Sequence, residues 1–175
     1  MSPSIQLLKN RYLKHIKENP DLYIGIELEF PIVHTKGQPT DIEVSKDLMH
    51  FLVDALSLEV EKVDQEGNPI QLVEPLSQDR ILFEVSYTTL EFAFGRAQNI
   101  QEVEGRFQAY MKVIQEKLGE KNHAIQGWGI HPNWNQNDNQ PVAYPRYQML
   151  MDYLSMGSHQ ESAHLHDFPQ YGAFI

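Results

Sequence analysis

The stretch LYIGIELEFPIVH, residues 22–34, alternates in side-chain character along most of its length. An extended chain sends successive side chains to opposite faces. Ile24, Ile26, Leu28, Phe30 and Ile32 therefore share one face, and Tyr23, Gly25, Glu27 and Glu29 the other. This is the pattern of a strand with one face on a core. It also sets two carboxylates side by side on the other face. They repel one another, so something outside the strand should compensate them.

Two later stretches repeat the pattern. In RILFEVS, residues 80–86, Ile81, Phe83 and Val85 oppose Leu82 and Glu84. In TTLEFAF, residues 88–94, Leu90, Phe92 and Phe94 oppose Thr89, Glu91 and Ala93. If the three strands lie in one sheet with their apolar faces on helices, Glu27, Glu29, Glu84 and Glu91 collect on one open surface. Four crowded carboxylates cost free energy unless cations sit among them. Oxygen ligands without cysteine suit Mg²⁺ or Mn²⁺, which commonly bridge carboxylates to phosphates. Each glutamate taken singly fits ordinary solvation of a strand's outer face; it is the set of four that points to a cation. Neither G-x-x-x-x-G-K-[ST] nor G-x-G-x-x-G occurs, so a nucleotide here would be held through metal ions.

The remaining elements are read from periodicity and turn chemistry. Ser2-Pro3 opens a helix in which Ile5, Leu8, Tyr12 and Ile16 recur at helical spacing, and Asn19-Pro20 stops it. Ser45 can cap a second helix whose stripe is Leu48, Met49, Leu52, Val53 and Leu56. Residues 59–64 and 69–73 make a hairpin around Glu66-Gly67-Asn68. Asn99 with Glu102 resembles a capping box ahead of a long helix with Val103, Phe107, Met111, Ile114 and Leu118. Residues 124–130 return as a strand and 145–154 as a short helix. Helices mixed with mainly antiparallel strands make this an α+β chain.

Residues 131–145 and 156–170 read as long polar loops. The second holds His159, His164, His166 and Asp167, which fit either a metal cluster or exposed loop surface. Trp128 and Trp134 flank GIHPN and fit either packing or a ligand platform. The last residues, QYGAFI, look like the start of another strand, so the expectation is that residues 1–175 form a single domain belonging to a longer catalytic one.

Composition narrows the function classes. Of 175 residues, 41% are hydrophobic and 22% charged, ordinary for a globular protein. A formal charge of −10 argues against nucleic acid or an anionic membrane as partner. With no cysteine there is no disulfide, thiolate metal site or thiol nucleophile. The N-terminus is too charged for a secretory signal and no apolar run reaches membrane length, so the expected location is the cytoplasm.

Three motifs in order, GIELEF (residues 25–30), LFEVSYTTLEFAF (82–94) and GWGIHPNW followed by PRYQMLMDYL (127–154), resemble glutamate–cysteine ligase, also called γ-glutamylcysteine synthetase. The wider family contains other carboxylate–amine ligases that share the glutamine synthetase fold. The resemblance implies a curved antiparallel sheet, here incomplete, whose concave face holds Mg²⁺, ATP and glutamate. It implies that ATP phosphorylates the γ-carboxylate of glutamate and that the amine of cysteine attacks the acyl phosphate, a step of glutathione biosynthesis. Glu27, Glu29, Glu84 and Glu91 match the family's acidic strands, as metal ligands or neighbours of the glutamate amino group. Arg146 and Tyr147 match an R-Y pair near the substrate pocket. Some relatives carry a basic residue a turn later, where this chain has Met149-Leu150-Met151-Asp152, which opens the choice of amine. The resemblance further implies that the ATP contacts lie beyond residue 175, that this chain alone is inactive, and that an unpaired sheet edge invites self-association. The alternatives are a ligase for another amine, a metal- or small-molecule-binding module without turnover, and a structural or regulatory domain whose acidic face is only solvated.

Overall fold

The ends of the helices show how local chemistry sets this fold. The computed structural model describes residues 2–133 and 140–155. Helix α1, Pro3–Leu13, starts as the sequence predicts, with the Ser2 hydroxyl accepting from the Ile5 N–H and Pro3 in the first turn. It ends at Leu13, short of the expected Asn19-Pro20 stop, and buries none of its residues. The Ile5, Leu8, Tyr12 and Ile16 stripe is exposed. Periodicity gives a helix an apolar face, but burial needs a partner surface.

Helix α2, Ile42–Ala55, is capped by Asp41 and not by Ser45. Asp41 is extended and turns its carboxylate onto the Glu43 N–H at 3.0 Å, whereas Ser45 is buried inside the helix. Helix α3, Ile100–Gly119, has the expected cap: Asn99 Oδ1 accepts from the Glu102 N–H, and Glu102 reaches back to the Gln98 N–H, each at 3.0 Å. Helix α4 spans Pro145–Ser155.

The strands are β1 (Glu27–His34), β2 (Glu59–Val63), β3 (Pro69–Val73), β4 (Arg80–Phe83), β5 (Thr89–Ala93) and β6 (His123–Ile125). Among the described residues they form one six-stranded antiparallel sheet in the order β2-β3-β4-β5-β1-β6. The fold of the described residues is therefore α+β, an open sheet with four helices. Strands β2 to β5 are a meander of hairpins. β1 is shared: its first half pairs with β5 and its last three residues pair with β6. β6 is shorter than the expected strand over 124–130. The ladder closes with the Gln126 N–H on the Pro31 carbonyl, and the chain then turns as the Trp128 N–H bonds back to the Gln126 carbonyl. Trp128 is half exposed, so it is not core; Trp134 lies outside the described residues.

Register divides the side chains as alternation demands. Val60, Leu72, Ile81, Phe92 and Leu28 stand opposite one another across five strands and point to one face, as do Phe83, Leu90 and Phe30. On that face the rings of Phe30, Phe92 and Phe94 meet Phe107 of α3, and Phe92 and Phe94 stack on Tyr110, while α2 packs on β3. Each fully buried aromatic or aliphatic side chain here contributes on the order of 2 kcal/mol. The other face carries the polar side chains.

Candidate functional site

Two rows cross the polar face. One runs Lys62, Gln71, Leu82, Glu91, Glu29, and the next runs Glu59, Val73, Arg80, Ala93, Glu27. Directly opposed residues on antiparallel strands share a face and lie about 5 Å apart. Glu29 and Glu91 are such a pair, and Glu27 is two residues along β1 on the same side. Glu84 follows the end of β4, with its N–H on the Thr89 carbonyl at 3.1 Å.

The four sequence-predicted glutamates come together here. Glu91 is buried at 8% exposure, so the face is closed at its centre, where the sequence pattern implied open surface. Burial, and then the negative charges of Glu84, Glu27 and Glu29, push its carboxyl up to about 7; a hydrogen bond with Glu84 adds to this. A carboxyl buried among three others keeps its proton near neutrality, because the alternative is a fourth negative charge in the same space. Among the described residues, no ion pair reaches Glu27, Glu84 or Glu91.

Cations do reach the opposite end of this face. Arg80 grips Glu61 with two nitrogens, Nε to Oε2 at 2.7 Å and Nη2 to Oε1 at 3.0 Å. Gln71 donates to Glu61 and accepts from Lys62 Nζ at 2.7 Å. The hydrogen bond from Arg80 holds the Glu61 carboxyl below its ordinary range. Negative charge on the polar face is thus paired with cationic side chains at the β2–β4 end and crowded around the raised Glu91 carboxyl at the β4–β1 end.

Of the R-Y pair, Tyr147 enters the cluster and Arg146 does not. Tyr147 is buried, and its hydroxyl lies 3.0 Å from Glu84 Oε2 and 3.1 Å from the Phe83 carbonyl. Burial and then the Glu84 charge push the phenol well above its ordinary range. Arg146 is exposed, its guanidinium 6.0 Å from the centre of the Tyr147 ring. His159, His164, His166 and Asp167 lie outside the described residues.

Periodicity did not reveal two polar centres. Asp64 accepts from the Glu66 N–H, the Asn68 N–H, Asn68 Nδ2 and the Tyr87 hydroxyl at 2.7–3.0 Å, organising the β2–β3 turn. An aspartate just before Glu66-Gly67-Asn68 was the available signal. Buried His131 places Nε2 3.0 Å from the Ile32 carbonyl and 3.2 Å from the Thr40 hydroxyl, and Nδ1 accepts from the Asn133 N–H. Burial lowers its pKa, as it does that of His123.

The acidic cluster has the donor chemistry of a site for a hard divalent ion. Its carboxylates are not closed around a vacant coordination sphere. Among the described residues, no three acidic or imidazole side chains stand at metal-holding distances. Among the described residues, no helix is long and apolar enough to cross a membrane. The family described as Glutamate-cysteine ligase family 2 (GCS2) matches residues 23–167. No curated protein matches the chain.

Proposed function

The chain belongs to glutamate–cysteine ligase family 2, which implies ligase activity of that general type, and from that premise we propose that its acidic sheet face binds Mg²⁺ or Mn²⁺ together with ATP and glutamate. Joining a phosphoryl group to a carboxylate brings two anions together; the bound ions would screen their charge and align their oxygens. The residues' part is to hold and release charge. Burial and the neighbouring carboxylates raise Glu91 toward about 7, so a cation placed among them would relieve charge that the site otherwise crowds together. Glu29 and Glu27 present further carboxylates from the neighbouring strand. Neutralised in this way, the face can admit the γ-carboxylate of glutamate. The γ-phosphoryl group of ATP passes to that carboxylate, and the amine of cysteine displaces phosphate to leave a γ-glutamyl amide and ADP.

The observation that carries this reading is the convergence of Glu27, Glu29 and Glu84 on buried Glu91. A second reading, a carboxylate–amine ligase for another amine, has support in the apolar and acidic run Met149-Leu150-Met151-Asp152. The test is a Mn²⁺ titration followed by electron paramagnetic resonance, with and without ATP, on the wild type and on Glu27→Gln and Glu84→Gln. Saturable binding that ATP strengthens and that each substitution weakens about tenfold or more is expected. Binding indifferent to both substitutions, or none at all, overturns the proposal.

A further inference from the structure

Glu84 sits where no regular element holds it. β4 ends at Phe83, and Val85 has φ +61°, a left-handed conformation in which β-branched residues are outliers. Such backbone strain persists only where the surroundings over-determine it. Here the Glu84 N–H bonds to the Thr89 carbonyl, and the Ser86 N–H bonds back to the Glu84 carbonyl at 2.7 Å. From far along the chain, the Val142 N–H donates to the Val85 carbonyl at 2.8 Å. The Ala143 N–H donates to the Tyr87 hydroxyl at 3.2 Å. The Val85 side chain is buried, so packing adds to these hydrogen bonds.

The segment that grips this turn continues into α4 and delivers Tyr147. Its hydroxyl has one proton and two acceptors in reach, Glu84 Oε2 and the Phe83 carbonyl. A charged carboxylate is the stronger acceptor, so the proton goes to Glu84 while that side chain is ionised and in place. If Glu84 turns away, the Phe83 carbonyl can take the bond, and the buried phenol is not left unsatisfied. This arrangement holds a side chain in place without locking it.

We infer that Tyr147 is the positioning residue for Glu84: its hydroxyl holds the carboxylate beside Glu91, so that residues 142–147 set the cation affinity of the acidic face. The inference rests on the cation-binding reading above. It moves Tyr147 from the substrate pocket, where the family resemblance puts it, to a place behind Glu84.

The test combines Mn²⁺ affinity with thermal unfolding for the wild type, Tyr147→Phe, Glu84→Gln and the double variant. Tyr147→Phe is expected to weaken Mn²⁺ binding about tenfold when Glu84 is present and to leave it unchanged in the Glu84→Gln background. An equal loss in both backgrounds would mean that Tyr147 acts on the fold generally, and no loss in either would mean that it does not act; both results overturn the inference. Glu84→Asp keeps the charge but draws it back from the hydroxyl. It should weaken binding comparably, and unchanged affinity would overturn the inference even if the Phe variant failed to fold. A wild type that binds no Mn²⁺ removes the cation-binding reading itself, and the inference with it.

Discussion

Asp64 and Glu91 are two carboxyls with nearly the same small exposure, 6% and 8%, and their pKa values are shifted in opposite directions. Burial pushes the Asp64 carboxyl up, but hydrogen bonds from Asn68, Tyr87 and the Glu66 N–H outweigh it and hold the group below its ordinary range. Burial also pushes Glu91 up, and its neighbours Glu84, Glu27 and Glu29 push the same way. Low exposure alone therefore does not decide whether a buried acid stabilises the fold. The groups around it add to the burial cost or outweigh it. Asp64 is an anchor because donors surround it. Glu91 is a liability to the fold because burial and the surrounding acids act on it in the same direction, and stability given up at one place is a common mark of a functional site.

The contrast is broken most directly by removing each acid. Asp64→Ala strips the acceptor from four donors and should destabilise the protein by about 3 kcal/mol in urea unfolding at neutral pH. Glu91→Gln should do the reverse, stabilising by roughly 2 kcal/mol at pH 8 and by almost nothing at pH 4. The sign follows from linkage. With a folded pKa of about 7 against an ordinary 4.5, folded Glu91 keeps a proton that the unfolded chain has released. Its contribution is therefore favourable below 4.5 and is lost as pH rises through about 7. Asp64, with a lowered pKa, contributes stability above its ordinary 3.8 that is lost as pH falls through its folded value. A Glu91→Gln difference that did not change with pH would end the comparison.

Smaller effects sharpen it. Tyr87→Phe removes one donor to Asp64 and the acceptor of the Ala143 N–H, a cost of about 1 kcal/mol by thermal unfolding. Arg80→Ala breaks the half-exposed pair with Glu61 and should cost only about 0.5 kcal/mol, with Mn²⁺ affinity unchanged. A large loss of Mn²⁺ affinity in that variant would show that the two ends of the polar face act as one site.

The acidic cluster was legible because alternation is a rigid rule. Once three strands share a sheet, Glu27, Glu29 and Glu91 must share a face, and the α3 cap at Asn99 followed from its own chemistry just as directly. The burial of Glu91 was not legible, because a strand pattern names a face without saying how closely its neighbours crowd it. Tyr147 reaches Glu84 across the whole middle of the chain, a contact no local pattern encodes. The α2 cap was misassigned because Asp41 and Ser45 are both good N-cap residues, and only the extended backbone at Asp41 separates them. The stripe on α1 was read correctly as a helix, but the helix ends at Leu13 and the stripe lies exposed, since sequence supplies the apolar face and not its cover.

The divided pairing of β1 bears on how the chain folds. Strands β2 to β5 each pair with a neighbour close in sequence, so their ladders close short loops and can form early. β1 must instead find β5 across the entire meander, and β6 from beyond α3. The register that sets Glu29 against Glu91 therefore closes a longer loop than any hairpin of the meander and costs more chain entropy. The like charges thus meet at a pairing that local turns do not enforce and that the rest of the fold must hold in place.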